Sequence, residues 1–418
     1  MTNFREIPKE DGIDHSLTLL REGYLFVPNR RKTFASNIFE TRLLGKKAIC
    51  MGGKEAAELF YDNEKFIRNG AAPNRVKKTL LGEGSVQTLD GAEHRNRKAM
   101  FLAVMSPEQM ERLKEITKKS WEAKLAKWEQ QDEVIVYKEA KELLCQIACD
   151  WAGVSLKENE EKQKSVLLGK LFESPAAMGP EHWAGRRARR EAEEWIERLV
   201  EEVRLGTLHP PSGSALYTFS YHKDLQGQLL DARTVAVEVL NILRPIIAIS
   251  VYLCFTALAV IQYPEESAKL NLKEDKYLKM FIQEVRRFYP FFPTAIAKVK
   301  KDFTWEGYQF EKGTLTLLDL YGTNHDPNLW ENPELFKPER FSDWQDSTFS
   351  FIPQGGGEFD LGHRCAGEWV TVEIMKISLD YFVNQMEFEV PTQDLSYSLV
   401  SIPSIPNSNI ILKNIKSK

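Results

Sequence analysis

FIPQGGGEFDLGHRCAG, residues Phe351–Gly367, is the stretch of this sequence that decides the fold. Cys365 follows a glycine-rich loop and stands just before a predicted helix, Glu368–Gln385. Backbone N–H groups and the dipole at a helix N-terminus favour a thiolate, and glycines allow a flat ligand to approach closely. The loop alone is equally compatible with a cysteine that has no function.

Two earlier segments narrow this choice. Glu284 and Arg287 lie three positions apart on one face of a predicted helix, Leu278–Phe288. Such a pair is usually only solvated when it occurs alone. A turn-rich stretch follows, from Asn324 to Phe351, and its Phe-Lys-Pro-Glu-Arg-Phe segment holds a second arginine, Arg340.

These three segments, in this order and with these separations, closely resemble the cytochrome P-450 superfamily over essentially the whole chain. The resemblance implies a mainly α fold with minor β structure and a long central helix over the haem, in a single domain spanning residues 1–418. It also implies haem b as cofactor. Cys365 would be the proximal thiolate and would push electron density toward the iron, favouring O–O cleavage.

The resemblance further implies residue roles around the haem. Glu284, Arg287 and Arg340 would form a buried ion-pair network that supports the haem-binding core. The side chains implied as haem contacts, mostly at the propionates, are Arg68, His94, Arg97, Lys98 and His363. Residues Glu358–Leu361 are extra relative to the family's spacing, so the path of the loop stays open.

A second feature is the long helix predicted from Asp231, its N-cap, to about Tyr263, before Pro264. At 1.5 Å per residue it would be roughly 45 Å long and would cross the molecule. Monooxygenases of the superfamily resemble one another in an acid-threonine pair on this helix. Here the matching positions hold Arg244 and Pro245, and the missing N–H of the proline predicts a bend.

Arg244 shares its face with apolar residues, including Ile247 and Ala248, and a buried guanidinium needs an anion. One interpretation pairs it with an Asp or Glu of the core. The other is that Arg244 holds a substrate carboxylate through two hydrogen bonds, and that this carboxylate acts as general acid–base. The run Leu243–Ile246, Leu-Arg-Pro-Ile, together with the glycine triplet before Cys365, closely resembles the bacterial fatty-acid peroxygenases. That resemblance implies hydrogen peroxide as co-substrate, no obligatory reductase, and 2- or 3-hydroxy acids or a terminal alkene as products.

The segment Leu80–Thr88 matches the distal loop of that subgroup. Gln87 stands where hydroxylating members tend to have glutamine and decarboxylating members histidine, so it favours hydroxylation; a structural hydrogen bond is the alternative. Leu81 replaces a common aromatic residue. Phe291 and Phe292 are pocket candidates that fit the core equally well, and Thr294 after them replaces a bulkier side chain.

Bulk properties limit the other functions. The 418 residues carry 56 basic and 60 acidic side chains, a net charge of −4, which gives no reason to expect a nucleic-acid partner. Five scattered cysteines favour a reducing compartment.

The polar N-terminus lacks the pattern of a signal peptide or anchor, and the uncharged run Pro245–Ile261 is predicted to be a core helix. We therefore expect a soluble, cytoplasmic protein without a membrane span, and a monomer. A reductase-dependent monooxygenase and a non-catalytic haem sensor are the remaining alternatives.

The rest of the chain is predicted in outline. The first hundred residues suggest short strands and turns, with a hairpin of Thr41–Leu44 and Lys47–Met51. Helices are predicted after the Ser106 cap and in the later part of the chain, and the tail around Pro403 and Pro406 suggests hairpins. The further predicted segments are Val134–Asp150 and Arg186–Leu205 as helices, and Phe303–Gln309 and Thr314–Asp319 as strands.

Overall fold

Helices dominate the secondary structure of this protein. The computed structural model describes residues 5–157, 160–270, 275–345 and 347–418. Its helices are α1 (Ser16–Glu22), α2 (Phe26–Thr33), α3 (Lys54–Phe60), α4 (Asn74–Val76), α5 (Gly91–Ala103), α6 (Pro107–Trp128), α7 (Val136–Ala152), α8 (Glu161–Glu173), α9 (Pro180–Arg204), α10 (Ala215–Ser220), α11 (Ala232–Gln262), α12 (Pro264–Leu270), α13 (Asp275–Phe288), α14 (Leu320–Asn324) and α15 (Glu368–Asp380).

Strands form three small sheets. They are β1 (Ile38–Leu43), β2 (Lys46–Met51), β3 (Phe66–Ile67), β4 (Glu133–Ile135), β5 (Thr294–Val299), β6 (Phe303–Trp305), β7 (Tyr308–Phe310), β8 (Leu315–Asp319), β9 (Met386–Glu389) and β10 (Ile411–Ser417). The largest sheet has the order β1-β2-β8-β5-β3, the second β4-β10-β9, and β6 pairs with β7. The predicted mainly α fold with minor β structure is confirmed.

The long helix α11 confirms the prediction closely. Asp231 caps it by accepting a hydrogen bond from the backbone N of Thr234 at 2.8 Å, and the helix continues through Pro245 to Gln262. Among the described residues, α11 alone is long and apolar enough to cross a membrane by length and composition, yet 78% of its apolar window is buried inside the protein. It packs at the centre of the main hydrophobic cluster, as expected for a core helix.

The N-terminal hairpin is also confirmed. β1 and β2 pair antiparallel, and Leu43 faces Lys46 across the turn. Leu44 and Gly45 both have positive φ, at 52° and 71°, the geometry that a tight hairpin turn requires. The Asp14 carboxylate accepts a hydrogen bond from the backbone N of Gly45 at 2.6 Å. A side chain from outside the hairpin therefore stabilises its turn.

Several predictions for the remaining elements are wrong. The first hundred residues hold three helices of seven or eight residues that were not predicted, α1, α2 and α3. Short helices depend on tertiary packing rather than on their own periodicity, and α3 buries Ala56, Ala57 and Phe60. The Pro403–Pro406 region shows one isolated bridge rather than hairpins, while β10 pairs with β4 and β9.

Element boundaries differ at other places. The predicted helix Val134–Asp150 begins as strand β4 and turns helical at Val136. Helix α9 begins at Pro180, six residues before the prediction, because this proline supplies the first helical position. The predicted strand Phe303–Gln309 is the hairpin of β6 and β7, whose turn places Glu306 and Gly307 at positive φ. The single-domain prediction for residues 1–418 stays a prediction.

Candidate active site

The glycine triplet before Cys365 is tightly packed. Gly355 and Gly357 have φ of 90° and 86°, a region that favours glycine. A side chain at Gly356 would place its Cβ 2.5 Å from the carbonyl oxygen of Thr348, and one at Gly357 would meet Tyr61 at 3.0 Å. The glycines are therefore required by the protein's own packing on this side of the loop, in addition to any ligand.

Cys365 lies three residues before α15, as predicted. Burial and the Glu368 carboxylate raise the pKa of its thiol, while a hydrogen bond from the backbone N of Gly367 lowers it. The prediction that the loop alone favours a thiolate is therefore not confirmed for the chain by itself. A metal cation bound to the sulfur would hold it deprotonated.

A salt-bridge cluster supports the cysteine loop from α13. Glu368 accepts a hydrogen bond from Arg286 at 2.6 Å and from Arg364 at 2.7 Å. Arg286 also donates to the side chain of Gln354, at the start of the glycines, at 2.9 Å. The sequence prediction missed this cluster, although Arg286 adjoins Arg287 and Arg364 adjoins Cys365. Through Gln354 and Glu368, the buried guanidinium of Arg286 contacts both ends of the cysteine loop.

Glu284, Arg287 and Arg340 form a buried ion-pair network. Arg287 contacts Glu284 through two nitrogens at 2.8 and 2.9 Å, and Arg340 approaches the same carboxylate at 3.1 Å. The backbone N of Lys337 adds a further hydrogen bond to Glu284, and the remaining Arg287 nitrogen donates to the carbonyl of Asn324. The predicted contacts among the three side chains are present, and each charged group has partners.

Four of the predicted haem contacts meet on one side of the cysteine loop. The rings of His94 and His363 lie 4.0 Å apart between centroids, and Asp90 approaches His363 at 3.6 Å. Burial lowers the pKa of His94 to about 3, of His363 to about 4, of Lys98 to about 8 and of Arg68 to about 10. Neighbouring cations contribute to the lowering at both histidines. Asp90 opposes this lowering at both histidines, and Cys365, Asp360 and Glu358 oppose it at Lys98.

Two of these side chains have distinct surroundings. Lys98 donates to the backbone carbonyls of Gly362 and Arg364, so it also holds the cysteine loop. The Nη1 of Arg68 is buried and has no hydrogen-bond partner within the described part of the chain. Arg97, whose haem contact stays a prediction, pairs through Nη1 with Glu238 of α11 at 2.8 Å.

Arg244 is buried on α11, with 5% of its surface exposed. Its one hydrogen bond is from Nη2 to the side-chain oxygen of Asn241 at 3.1 Å, and its Nε has no partner among the residues described. No Asp or Glu of the described ranges forms an ion pair with it. Burial and the nearby Arg189 lower its pKa to about 9, while Cys365 acts in the opposite direction. Arg244 therefore lies within electrostatic reach of the Cys365 sulfur.

Arg189 of α9 is a second buried guanidinium near Arg244. It forms an ion pair with Glu193 and donates to the carbonyl of Leu80 at 3.3 Å. Its Nη2 lies buried against Gly82, and no described residue accepts a hydrogen bond from it. The distal loop is thus held between α9 and α11.

The predicted pocket residues occupy different surroundings. The Oε1 of Gln87 is buried and has no partner in the described residues. The carbonyl of Leu81 accepts a hydrogen bond from Asn241 at 3.2 Å, and Phe291 stacks on Tyr252. Phe292 is 37% exposed, so the structure supports Phe291 as the better pocket candidate. Ile247 and Ala248 are buried beyond Arg244 on α11.

Comparisons with known proteins agree with this geometry. The family profile described as Cytochrome P450 matches residues 264–411. The structure of Cytochrome P450EX alpha (CYP152N1), wild-type with myristic acid, is 51% identical, with a TM-score of 0.96, and the match covers 99% of this chain and 100% of that one. The chain belongs to the cytochrome P450 family. The glycine loop, the Glu284 network and Cys365 all lie within the residues that the family profile matches.

Two further structures place this P450 within the family. Ligand-free cytochrome P450 OleT is 38% identical, with a TM-score of 0.96 and 99% of both chains covered. Cytochrome P450SP alpha (CYP152B1), in complex with (R)-ibuprophen, is 42% identical, with a TM-score of 0.95, covering 97% of this chain and 99% of that one. The putative cytochrome P450 120 of Synechocystis sp. is 24% identical over 99% of this chain and 98% of its own length. The predicted membership of the peroxygenase subgroup is confirmed.

The family implies haem, and the described side chains fit such a group. Its two propionates would supply negative charge to the cluster of Arg68, His94, Lys98 and His363, and the free Nη1 of Arg68 offers a donor. Cys365 would offer the sulfur ligand of the iron.

Sequence reasoning missed Glu238, Asn241 and Arg189. Asn241 and Glu238 stand three and six residues before Arg244 in the stretch 235–249 of α11, which is otherwise apolar. This spacing places Glu238 and Asn241 on one face and could have identified them. Arg189 belongs to another helix, and its approach depends on tertiary packing that one sequence does not reveal.

Proposed function

We propose that this P450 uses hydrogen peroxide to hydroxylate long-chain fatty acids at the α and β carbons, with the substrate carboxylate held by Arg244. The observation that carries the proposal is the buried guanidinium of Arg244, which has no carboxylate partner among the described residues. An unpaired buried charge is very costly. A substrate carboxylate would neutralise the Arg244 guanidinium through charge-assisted hydrogen bonds.

A count of charges around Arg244 supports this assignment. Arg97, Arg189, Arg233 and Arg244 are four cations within one network, and the carboxylates that contact the first three are Glu238, Glu193 and Glu197. One negative charge is missing among these described side chains. A fatty acid brings one carboxylate, whereas an alcohol or a hydrocarbon brings none.

The bound carboxylate also supplies the proton chemistry. From Arg244 to the end of α11 at Gln262 the sequence holds no acidic residue. A carboxylate fixed on Arg244 would act as general base and then acid, moving a proton between the two peroxide oxygens. Haem, when bound by Cys365, supplies the redox chemistry that breaks the O–O bond and transfers an oxygen atom. A reductase is then unnecessary.

Gln87 favours hydroxylation over loss of carbon dioxide. Its amide oxygen is buried without a partner in the described residues, and an amide does not titrate near neutrality. Decarboxylation to a terminal alkene is the second candidate, supported by the 38% identity to cytochrome P450 OleT over 99% of both chains. We further propose that the enzyme is a soluble, cytoplasmic monomer.

The first experiment is a product analysis without a reductase. Purified haem-loaded protein receives myristic or palmitic acid and hydrogen peroxide. We expect 2- and 3-hydroxy acids as the main products and an alkene as a minor one. An alkene as the main product would show that decarboxylation, rather than hydroxylation, is the main reaction. The absence of any product from correctly loaded protein would overturn the proposal.

Cys365→Ser tests the proposed iron ligand. We expect the variant to lose the red-shifted carbon-monoxide band of the reduced haem, because a serine oxygen does not replace the thiolate. Cys254→Ser is the control, since Cys254 is buried in α11 and lies outside the cysteine loop. An unchanged band in Cys365→Ser would remove Cys365 as ligand.

A further inference from the structure

A second charged residue of α11, Glu238, is fully buried and has three hydrogen-bond donors. Its Oε1 accepts from the backbone N of Val86 and from Arg97, both at 2.8 Å. Its Oε2 accepts from the side-chain nitrogen of Asn241 at 3.0 Å. Burying a carboxylate is costly unless it is paired and hydrogen-bonded. The proposed reaction gives Glu238 no direct part, so its presence needs another reason.

Two of these donors lead directly to the proposed substrate site. Val86 precedes Gln87 in the distal loop, so the hydrogen bond that its backbone N–H donates to Glu238 holds that loop against α11. Asn241 uses its amide nitrogen for Glu238 and for the carbonyl of Leu81. This fixes the orientation of the amide, because both N–H groups have acceptors. The amide oxygen then faces Arg244 and accepts a hydrogen bond from its Nη2 at 3.1 Å.

We infer that Glu238 is a positioning residue for the carboxylate clamp, acting on Arg244 through the amide of Asn241 and on Gln87 through the distal loop. The inference rests on the proposed function and adds to it a residue that sets selectivity. Glu238 orients the guanidinium toward the substrate head group, and it holds Gln87 at the same end of the substrate. It therefore determines how strongly the enzyme prefers an acid and which carbon it attacks.

Glu238→Gln is the variant that breaks this connection with least change of volume. All three partners of Glu238 are donors, and glutamine offers one acceptor oxygen and one amide nitrogen. If that oxygen keeps Val86 and Arg97, its nitrogen faces the nitrogen of Asn241. The Asn241 amide must then rotate, which presents a donor to Arg244. The guanidinium loses its one side-chain acceptor.

The test compares a fatty acid with an uncharged analogue. Binding of myristic acid and of 1-tetradecanol to the haem-loaded protein is measured by calorimetry, and the ratio of 2- to 3-hydroxymyristic acid is measured after reaction with peroxide. For Glu238→Gln we expect acid affinity to fall about tenfold, since hydrogen bonds to charged groups contribute that much. Alcohol affinity should stay within about twofold, and the product ratio should shift.

Glu139→Gln is the matched control. Glu139 is also a buried carboxylate on a helix and accepts from Lys124 and the indole of Trp128, but it lies on α7 outside this network. We expect it to leave the acid-to-alcohol affinity ratio and the product ratio unchanged. A purely structural role of Glu238 would lower the melting temperature and leave both ratios at their wild-type values, which would overturn the inference.

Two outcomes separate this inference from the proposed function. Wild-type protein that binds acid and alcohol equally well would refute the carboxylate clamp itself. Wild-type protein that prefers the acid, with Glu238→Gln retaining the full preference and product ratio, would refute only the role of Glu238. If Glu238→Gln does not fold, Asn241→Leu removes the same connection to Arg244, and the same two ratios decide.

Discussion

The clusters around Glu284 and around Arg244 are both buried and charged, yet they differ in how completely they are satisfied. Glu284 has Arg287, Arg340 and the backbone N of Lys337 as partners. Arg244 has one amide oxygen, and its Nε has no partner within the described part of the chain. A charged cluster that is complete within the protein serves the fold. One that lacks an anion marks the place where a ligand supplies it.

Breaking the complete cluster should have the largest effect on stability. Glu284→Ala leaves Arg287 and Arg340 without their shared carboxylate, and an uncompensated buried charge costs about 3–5 kcal/mol. We expect the free energy of unfolding, measured by chemical denaturation, to fall by that amount. Glu64→Ala is the control, because Glu64 pairs with Lys300 at the exposed surface, and its loss should stay within about 0.5 kcal/mol. A loss below about 1 kcal/mol for Glu284→Ala would contradict the assigned role.

Removing the charge of Arg244 from the incomplete cluster should lower activity without lowering stability. Arg244→Leu should lower peroxide-driven turnover of myristic acid by about 10²-fold or more, since two charge-assisted hydrogen bonds are lost. Its free energy of unfolding should stay equal or rise, because a buried cation without a counter-ion is removed.

Arg244→Lys sharpens this test. Lysine keeps the charge but cannot form a planar two-nitrogen contact with a carboxylate, so we expect turnover between that of Arg244→Leu and the wild type. Wild-type turnover in Arg244→Leu would show that this buried cation does not hold the substrate.

The smallest expected effect concerns Gln87 and the ratio of alkene to hydroxy acid among the products. Gln87→His introduces a ring that titrates near neutrality and should raise the alkene fraction of the product, measured by gas chromatography, by about threefold, which corresponds to less than about 1 kcal/mol. Gln87→Leu, which has no proton to exchange, is the control and should leave that fraction unchanged. An unchanged fraction in Gln87→His would locate the control of product choice elsewhere.

Local signals explain what could be predicted from the sequence. Helix α11 begins and ends within one residue of the prediction. Asp231 caps its first turn, and Pro264 follows shortly after its last residue, so both ends are determined by local sequence. The hairpin of β1 and β2 follows likewise from the turn at Gly45. The helices α1 to α3 were missed because they are short and gain their stability from packing.

The candidate site shows the same division. Arg244, Gln87 and Cys365 stand out in the sequence because each is unusual for its predicted surroundings. The surroundings of Arg244 beyond α11 could not be predicted from one sequence, because Arg189 comes from α9 and the backbone N–H that Val86 donates to Glu238 comes from a loop. The exposure of Phe292 depends equally on how distant elements pack.

The parallel pairing of β2 with β8 has a consequence for biosynthesis. Ala48 faces Leu315 in this pair, so one partner leaves the ribosome long before the other exists. At about 5–20 residues per second, the intervening chain takes on the order of tens of seconds to make. During that time one edge of β2 is open to pairing with other chains. Cys365 is translated later still, so all five strands of this sheet have been synthesised before the proposed haem ligand exists.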